Sequence, residues 1–423
     1  MNPYENIHIS RRHLIKAGSA VAATAALYPG LGAFAKSDNP IKIGQVTPGT
    51  GTYSALGGNQ VAGAKLAVDQ INSNGGVMGR PVQLLLENTG SDVGKSVQKV
   101  RKLVHRNNVD FLTGSVSSAV ALADSQASHG LNTLYMDLGG HADAITGKKC
   151  SWNTFRTCST TWLLTAGDFH TLFEQFGKKW FFLTPDYNFG HALHRDYVQQ
   201  LKQAGGQEVG NALAPLGTTD FSSYLIKAKS ANPDVLIILN AGNDQINALK
   251  QVHQFGIQND MGIGGPMMEM ETLESLPADA RVGYWNMEWY WNQPNTPHVQ
   301  KFVEDYKKST KANKVPTARS WFGYAGTHAL ALAAEKAQSL NTMKVVKALE
   351  GLELPPEIAL QPHKAVYRSS DHQLIGSQFP GQIRKNGSYP HLFDLSSIVD
   401  SSKIARSAEA KGCSMSYPSS MSS

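Results

Sequence analysis

The sequence predicts an α/β protein built as two doubly wound parallel-sheet lobes joined by a hinge. Its 423 residues exceed the roughly 100 to 200 residues of one domain. From residue 41 onward, short β-rich runs alternate with amphipathic helical stretches, which is typical of βαβ units and parallel sheets. The clearest strand, residues 235–239, is continuously apolar, as expected where helices cover both faces of a sheet. With 41% apolar and 17% charged residues, the chain is neither disordered nor a multi-span membrane protein.

The first lobe is predicted from a series that begins with a short apolar strand. Strands are expected at residues 42–46, 82–87, 110–113 and 133–137. Helices are expected between them, at residues 59–72, 93–106 and 118–129. Gly75 and Gly76 mark the end of the first helix, because paired glycines interrupt helical structure.

A second series of the same kind starts near residue 155 and predicts the second lobe. Its strands are expected at residues 180–184, 235–240, 261–263 and 282–285. Its helices are expected at residues 163–176, 192–204, 224–231 and 245–255. The strand-helix alternation again indicates a parallel sheet covered by helices.

The remaining segments are expected to return to each lobe in turn. Helices are predicted at residues 299–310, 325–339 and 343–350, followed by a β-rich segment at 365–393. We therefore expect an N-terminal lobe of residues 40–155 plus 292–360 and a C-terminal lobe of residues 156–291 plus 361–397. Residues 398–423, which end in a Ser-rich stretch at residues 414–423, are expected to be a partly disordered tail.

The first 35 residues have the pattern of an export signal rather than of a folded element. Arg11 and Arg12 precede an apolar stretch at residues 14–27, and Ala33-Phe34-Ala35 gives an A-x-A cleavage site. The arginine pair resembles the twin-arginine export signal. We expect a periplasmic protein cleaved after Ala35, with retention as a membrane anchor as the alternative. Cleavage would lower the net charge from +6 to +4.

Three cysteines, Cys150, Cys158 and Cys413, are candidates for one disulfide and one unpaired thiol in an oxidising compartment. Cys150 with Cys158 would close a short loop. Cys150 with Cys413 would tie the C-terminal segment to the body of the protein. The sequence alone does not choose between these pairings.

Two loops lie where open α/β sheets bind ligands, between the end of a strand and the start of a helix. The first is residues 49–57. The second is Gly114-Ser115-Val116-Ser117-Ser118, whose hydroxyls and free backbone N–H groups could hold a carboxylate. The alternative for Ser117 and Ser118 is helix capping alone.

Several segments resemble, in order and spacing, those of the branched-chain-amino-acid type of periplasmic solute-binding proteins. The resemblance covers residues 40–394, and Gly75-Gly76-Val77-Met78-Gly79-Arg80-Pro81 is its most specific part. The other segments are Ile43 to Gly49, Gly114 to Ser118, Asp186-Tyr187-Asn188-Phe189-Gly190 and Thr219-Asp220-Phe221-Ser222. The resemblance implies a type I periplasmic binding protein with two lobes, three crossovers and a role as receptor of an ABC importer.

The same resemblance implies a ligand site in the cleft between the lobes. A carboxylate would be held by Ser117 and Ser118 and by Gly139 and His141, while Tyr53 covers the ligand. Phe189 would approach from the second lobe, with hydrophobic core packing as its alternative. The predicted ligand-binding residues are Tyr53, Ser117, Ser118, Gly139, His141, Phe189, Asn240 and Met267.

One position departs from the family pattern. Amino-acid-binding members place an acidic residue after a Gly-Pro pair to hold the ligand ammonium, whereas Met267 follows Gly265-Pro266 here. Glu269, Glu271 or Asp244 could substitute, but an unpaired buried ammonium is costly, so a ligand without an α-amino group is favoured. Met267, Met268 and Met270 would form an apolar wall for an aromatic or alkyl group, with core packing as the alternative. The motif at residues 368–373 resembles a branch of the family associated with aromatic acids.

Other functional classes fit the sequence less well. His191 and His194 share a helix face, but no third residue has metal-site spacing and no catalytic motif is present. The small net charge does not indicate nucleic-acid binding. We expect a monomer that is not an enzyme, uses no cofactor or metal, and delivers a small carboxylate to membrane permease subunits. The alternative is a periplasmic ligand sensor that signals to a membrane receptor.

Overall fold

The computed structural model describes residues 39–419. The predicted export signal at residues 1–35 therefore lies outside the described residues. Within residues 39–419, no helix is long and apolar enough to cross a membrane.

The first lobe is a five-stranded, fully parallel sheet with the strand order β2-β1-β3-β4-β5. Asp92 caps the second helix by accepting a hydrogen bond from the backbone N–H of Lys95. The strands are β1 (Ile41–Thr47), β2 (Val82–Asn88), β3 (Phe111–Gly114), β4 (Leu134–Asp137) and β5 (Thr154–Arg156). The helices between them are α1 (Ser54–Ser73), α2 (Val93–His105) and α3 (Ser118–Gly130).

The second lobe is an eight-stranded mixed sheet with the order β14-β13-β10-β9-β8-β6-β7, in which β15 also pairs with β13. Its parallel strands are β6 (Lys179–Pro185), β7 (Gln207–Ala214), β8 (Val235–Ile238), β9 (Gly262–Gly265) and β10 (Tyr284–Met287). The antiparallel strands are β13 (Ser377–Ile383), β14 (Phe393–Leu395) and β15 (Val399–Asp400). Its helices are α4 (Thr161–Phe176), α5 (Asn188–Gln203), α6 (Ser222–Ser230), α7 (Gly242–Gln254) and α8 (Met270–Ser275). The predicted fold class of two α/β lobes is confirmed.

Strand β7, which lies at the edge of the second sheet, was not among the predicted strands. It contains Gly210 and several polar residues, so its apolar alternation is weak. Edge strands need little apolar surface on the outer face, which is why this strand lacked a clear signal.

The helices after β10 pack on the first lobe. They are α9 (Val299–Thr310), α10 (Ala318–Ala337), α11 (Thr342–Leu349) and α12 (Pro356–Ala359), followed by the two-stranded β11 (Val366–Tyr367) and β12 (Leu374–Ile375). Helix α10 lies along α1. A Cβ at Gly63 would sit 1.8 Å from the carbonyl oxygen of Ser320, and one at Gly323 would sit 2.0 Å from that of Gln60. These glycines therefore permit the close approach of the two helices.

Helix α10 corrects the predicted start at residue 325. Thr317 and Ser320 form a capping box that begins the helix seven residues earlier, at Ala318. Its first three turns are buried on nearly every side, so they carry no amphipathic stripe by which the sequence could have revealed them.

A network of polar side chains joins the chain segments that cross between the lobes. The buried Arg156 donates from Nε to Oε1 of Gln373 at 2.6 Å. Gln373 in turn donates from Nε2 to the carbonyl oxygen of Cys158 at 2.8 Å. The motif at residues 368–373 thus stabilises the segment around Cys158, where the chain leaves β5 and crosses to the second lobe.

The C-terminal segment forms a strap that runs from the second lobe to the first, over residues 399–417. It starts as β15 on the second sheet, and the carbonyl oxygen of Ile404 then accepts a hydrogen bond from Trp162 Nε1 at 2.8 Å. On the first lobe, Lys411 Nζ lies 2.5 Å from Oδ2 of Asp371. This part of the predicted tail, residues 398–423, therefore contacts both lobes.

A disulfide between Cys150 and Cys413, 263 residues apart, fixes the strap to the first lobe. Cys158 is buried and takes part in no disulfide. Of the two open pairings, the structure has the one that ties the C-terminal segment to the body. The exact lobe boundaries given above remain a prediction.

Candidate functional site

The two lobes meet at the carboxyl ends of their parallel strands. Tyr53, in the loop after β1, places its hydroxyl 2.5 Å from that of Tyr187 on the second lobe. The backbone N–H of Asn243 donates to the carbonyl oxygen of Thr52 at 3.2 Å. Tyr53 is 2% exposed, so these contacts between the two lobes cover the cleft.

An apolar wall lines this cleft. Tyr53, Val116, Phe189 and Met267 belong to one buried cluster made of residues from both lobes. Of the predicted methionine wall, only Met267 lies here. Met268 and Met270 pack in a different hydrophobic cluster, so the alternative of core packing holds for both.

The two predicted serines have different roles in the structure. Ser118 Oγ accepts hydrogen bonds from the backbone N–H groups of His141 and Ala142, both at 3.1 Å. It therefore braces the loop after β4. Ser117 precedes α3 as its N-cap residue, and its side chain makes no capping hydrogen bond. The free N–H groups at the start of α3 and the Ser117 hydroxyl are therefore candidate hydrogen-bond donors to an anion.

Gly139 lies on the wall of the cleft and makes room for an arginine. A Cβ at this residue would sit 2.7 Å from Nη1 of Arg319 and 2.9 Å from Nε2 of Gln60. Asp137 Oδ1 accepts hydrogen bonds from the backbone N–H groups of Gly139 and Gly140, which fixes the turn. The nearest atom is the backbone carbonyl oxygen of Ser115, at 2.6 Å, so the glycine is required by the close approach of this backbone as well as of the guanidinium.

Arg319 was missed by the sequence analysis and is the central cation of the cleft. It is 1% exposed, and its Nε donates to Oε1 of Glu269 at 2.7 Å. Nη2 contacts the sulfur of Met267 at 3.4 Å. Nη1 has no hydrogen-bond partner among residues 39–419. Because buried polar groups are normally paired, the two N–H groups of Nη1 are candidates for hydrogen bonds to an anion.

The acidic partner of Arg319 holds its proton unusually strongly. Burial raises the pKa of Glu269 to about 8, and the nearby carboxylates of Glu271 and Glu288 add to this effect, whereas Arg319 opposes it. Burial lowers the pKa of the Arg319 guanidinium, but the carboxylates of Glu269 and Glu288 outweigh it and bring that pKa above its ordinary value.

His141 is held by a second acidic residue from the opposite lobe. Its Nε2 lies 2.5 Å from Oε1 of Glu288, and the ring packs against Phe189 at a centroid distance of 5.8 Å. The other oxygen of Glu288 accepts the backbone N–H of Ser159 at 2.7 Å. Burial raises the pKa of Glu288, but His141, Arg319 and this N–H together bring it below its ordinary value.

Asn240 follows β8 at its carboxyl end and is 1% exposed. Neither its Oδ1 nor its Nδ2 has a hydrogen-bond partner in the described part of the chain. The structure thus gathers Tyr53, Phe189 and Met267 in one cluster and places Gly139 and His141 near them on the first lobe.

The periplasmic binding protein family model matches residues 40–388. The chain belongs to this family of periplasmic binding proteins. One relative is Leu/Ile/Val-binding protein homolog 7 of Brucella melitensis, which is 27% identical over 337 residues, 74% of this chain and 82% of the relative.

Solved periplasmic binding proteins have the same fold. One from Burkholderia mallei has a TM-score of 0.82 and 26% identity, covering 88% of this chain and 98% of that one. The solute-binding protein of an ABC transporter from R. palustris, in complex with benzoate, has a TM-score of 0.78 and 18% identity, covering 89% and 99% of the two chains.

Membership in the periplasmic binding proteins gives this chain a role as a periplasmic solute-binding protein of ABC transporters and excludes an enzyme. Between residues 39 and 419, no group of three or more His, Cys, Asp or Glu side chains is placed to hold a metal ion.

Proposed function

We propose that this periplasmic binding protein captures a small carboxylate with an aromatic or other apolar body and delivers it to an ABC importer. The ligand occupies the interlobe cleft and is trapped by hinge closure. Arg319 carries the proposal, because the Nη1 group of its buried guanidinium, beside Gly139, has two N–H donors without a partner within residues 39–419. A carboxylate there would gain a charge-assisted hydrogen bond and would lie near the Ser117 hydroxyl.

Met267 supports a ligand that lacks an α-amino group, because the acidic residue of amino-acid-binding members is absent at this position. Glu269 is bound to Arg319, and Glu271 Oε1 accepts from Asn59 Nδ2 at 3.0 Å. Asp244 accepts the backbone N–H of Gly217 at 2.9 Å. Each possible substitute is thus engaged through one carboxylate oxygen, while Oε2 of Glu269 and Oε2 of Glu271 have no partner within residues 39–419. The apolar Met267 favours an apolar acid over a branched-chain amino acid.

The apolar wall supports the same class of ligand. Tyr53, Phe189 and Met267 offer two rings and a polarisable thioether, which suit an aromatic or alkyl group. The R. palustris protein of the same fold is in complex with benzoate, a carboxylate on an aromatic ring. Contacts from both lobes would then favour the closed state through differential affinity.

Calorimetric titration of the purified chain with single acids tests this proposal. The panel contains benzoate, hydroxybenzoates, hexanoate, leucine and benzamide. We expect benzoate-like or alkyl acids to bind, leucine to bind at least tenfold more weakly, and the neutral benzamide not to bind. Small-angle scattering should show a more compact monomer with ligand. Binding of leucine alone, or equal binding of benzamide, would contradict the proposal.

Uptake separates import from sensing. In membrane vesicles that contain the permease and ATPase subunits, the loaded protein should drive ATP-dependent accumulation of the acid. Ligand binding without any uptake would favour the alternative of a periplasmic sensor.

A further inference from the structure

Gln60 contacts three of the chain segments that lead to the cleft. It belongs to α1 and is fully buried. Its Nε2 donates to the carbonyl oxygen of Ser115 at 2.8 Å and to that of Leu138 at 3.1 Å. Its Oε1 accepts a hydrogen bond from Thr47 Oγ1 at 3.2 Å. Both N–H groups and the oxygen of this amide are therefore paired within the protein.

The three partners of Gln60 lie at the carboxyl ends of neighbouring strands. Thr47 is the last residue of β1, Ser115 follows β3, and Leu138 follows β4. These strands are adjacent in the sheet order β2-β1-β3-β4-β5. One side chain therefore connects three strand ends at the edge where open α/β sheets bind ligands.

Each first-lobe residue that was predicted to bind the ligand follows one of these strand ends. They are Tyr53 after β1, Ser117 and Ser118 after β3, and Gly139 and His141 after β4. Gln60 is also close to the proposed anion position, because a Cβ at Gly139 would sit 2.9 Å from Gln60 Nε2 and 2.7 Å from Arg319 Nη1. The amide thus joins the loops of the first lobe beside the guanidinium.

The carbonyl groups of Ser115 and Leu138 depend on Gln60 for a donor. Both residues are buried, and each carbonyl oxygen points at the Gln60 amide. Without this donor, two buried acceptors would be left unpaired, which proteins avoid. The loops would move until water or another donor reached these oxygens, and the distances among the three strand ends would change.

We infer that Gln60 is a positioning residue for ligand binding, which sets the spacing of the three first-lobe loops that approach the ligand. The inference rests on the proposed function, in which a carboxylate lies between Arg319 and the loop after β3. Groups on separate loops bind one small anion well only when supporting hydrogen bonds hold them in place. Loops that are already fixed also lose less conformational entropy when the ligand binds.

A second glutamine of α1 provides a matched control. Gln70 is half-buried, its Nε2 donates to Asp305 Oδ2 at 3.2 Å, and its Oε1 accepts from Tyr324 Oη at 3.0 Å. These partners belong to α9 and α10 and not to the loops of the cleft. Gln70→Met therefore removes similar hydrogen bonds from the same helix without changing the support of the ligand-binding loops.

Calorimetry with benzoate and hexanoate tests the inference. Gln60→Met keeps the length of the side chain and removes its hydrogen bonds, so the better-binding acid should lose affinity at least about tenfold. Gln70→Met should bind that acid within about twofold of wild type, although both variants should lose unfolding free energy in denaturant titrations. Wild-type affinity in Gln60→Met, or an equal loss of affinity in Gln70→Met, overturns the inference.

Gln60→Glu adds a measurement that a change of packing alone would not affect. Burial raises the pKa of a glutamic acid, so at pH 5 this side chain is protonated and can still donate to one carbonyl oxygen. When ionised at pH 8, it repels both carbonyl oxygens. Its affinity relative to wild type at the same pH should be within about threefold at pH 5 and at least about tenfold lower at pH 8.

The same ratio at both pH values overturns the inference. Gln60→Glu also replaces the methionine variant if that variant does not fold, as judged by circular dichroism. If neither acid binds to the wild-type protein, the proposed function itself fails, which is a separate result.

Discussion

Arg319 donates a hydrogen bond from Nε to Oε1 of Glu269 across the cleft, at 2.7 Å, and both side chains are almost fully buried. Arg319 belongs to α10, which packs on the first lobe, and Glu269 precedes α8 in the second. Closure of the lobes therefore brings the two together. Burial of such a pair gains little by itself, because desolvation offsets the attraction. A bound anion that reaches Nη1 supplies the missing compensation.

Replacement of Arg319 by Met should strongly weaken carboxylate binding. Combined with Glu269→Gln, which avoids an unpaired buried acid, we expect an affinity about 100-fold lower, since a buried charge-assisted hydrogen bond is worth about 1.5–3 kcal/mol. Calorimetry with the tightest-binding acid measures the loss. Arg384→Met, which removes a largely exposed arginine, is the matched control. Affinity unchanged in the double variant would show that the anion binds elsewhere.

Ligand binding should weaken in alkaline solution. The pKa of Glu269 is raised to about 8, so above this pH it becomes negatively charged and opposes a second carboxylate. If the acid binds only while Glu269 is protonated, affinity falls about tenfold from pH 7 to pH 9. Glu269→Gln should flatten this profile.

The carboxyl group of Glu269 should also make the unfolding free energy of the ligand-free protein depend on pH. The folded pKa lies above the ordinary value of 4.5, so the folded state binds the extra proton. This contribution is fully present below pH 4.5 and is lost as the pH rises toward 8. The stability difference between wild type and Glu269→Gln should shift in that direction in denaturant titrations. A stability difference between the two proteins that does not change with pH would contradict the raised pKa of Glu269.

Loss of the hydroxyl of Tyr53 should loosen closure without unfolding the protein. Tyr53→Phe removes the hydrogen bond to Tyr187, worth about 1 kcal/mol, so affinity should fall about fivefold. Faster ligand release in stopped-flow measurements would account for the change. Tyr224→Phe, at a half-buried tyrosine whose ring packs against Phe221, should have no effect. Equal rates of ligand release from Tyr53→Phe and Tyr224→Phe would mean that Tyr53 acts through packing and not through its hydroxyl.

Substitutions of Ser117 and Ser118 should have different effects on ligand affinity and on protein stability. Ser118→Ala removes the acceptor for two backbone N–H groups, so it should cost about 1–2 kcal/mol of unfolding free energy as well as affinity. Ser117→Ala should leave the unfolding free energy nearly unchanged and lower affinity alone. Denaturant unfolding and calorimetry of both variants provide the comparison. If Ser117→Ala binds as wild type does, its hydroxyl does not contact the ligand.

The disulfide should stabilise the protein strongly, because it closes a loop of 263 residues. Cys413→Ser should lower the unfolding free energy by about 4 kcal/mol. Wild type in reductant should fall to the same value, and the variant should be insensitive to reductant. A variant as stable as the oxidised wild type would mean that Lys411 and its neighbours hold the strap unaided.

The fold was largely predictable because its strands and outer helices carry strong periodic signals. Residues 235–239 form a continuous apolar run, and α2 and α9 have clear apolar stripes. The edge strand β7 and the start of α10 were not predictable for opposite reasons. Strand β7 is too exposed to show alternation of apolar and polar residues, and the start of α10 is too buried to show a polar face.

The cleft was predictable only in part. The loops at Tyr53 and Ser117 follow from strand ends, which recur in all open α/β sheets. Arg319 could not be found this way, because a single arginine in sequence is typical of a surface side chain. Its burial depends on two distant glycines that let α10 approach α1, and on Gly139, which leaves space for the guanidinium. Contacts among three separate parts of the chain produce no periodic pattern in the local sequence.

The strap has a practical consequence for measurement. Asn39 accepts a hydrogen bond from Arg80, and Tyr417 donates to Glu350 at 2.6 Å, so both described ends of the chain attach to the first-lobe side. A pair of fluorescent dyes placed near these two ends would keep a constant separation during hinge motion and report nothing. A dye at Ile226 of α6, which is 60% exposed, paired with one near residue 417 would change distance, and would make the protein an optical sensor of its own ligand.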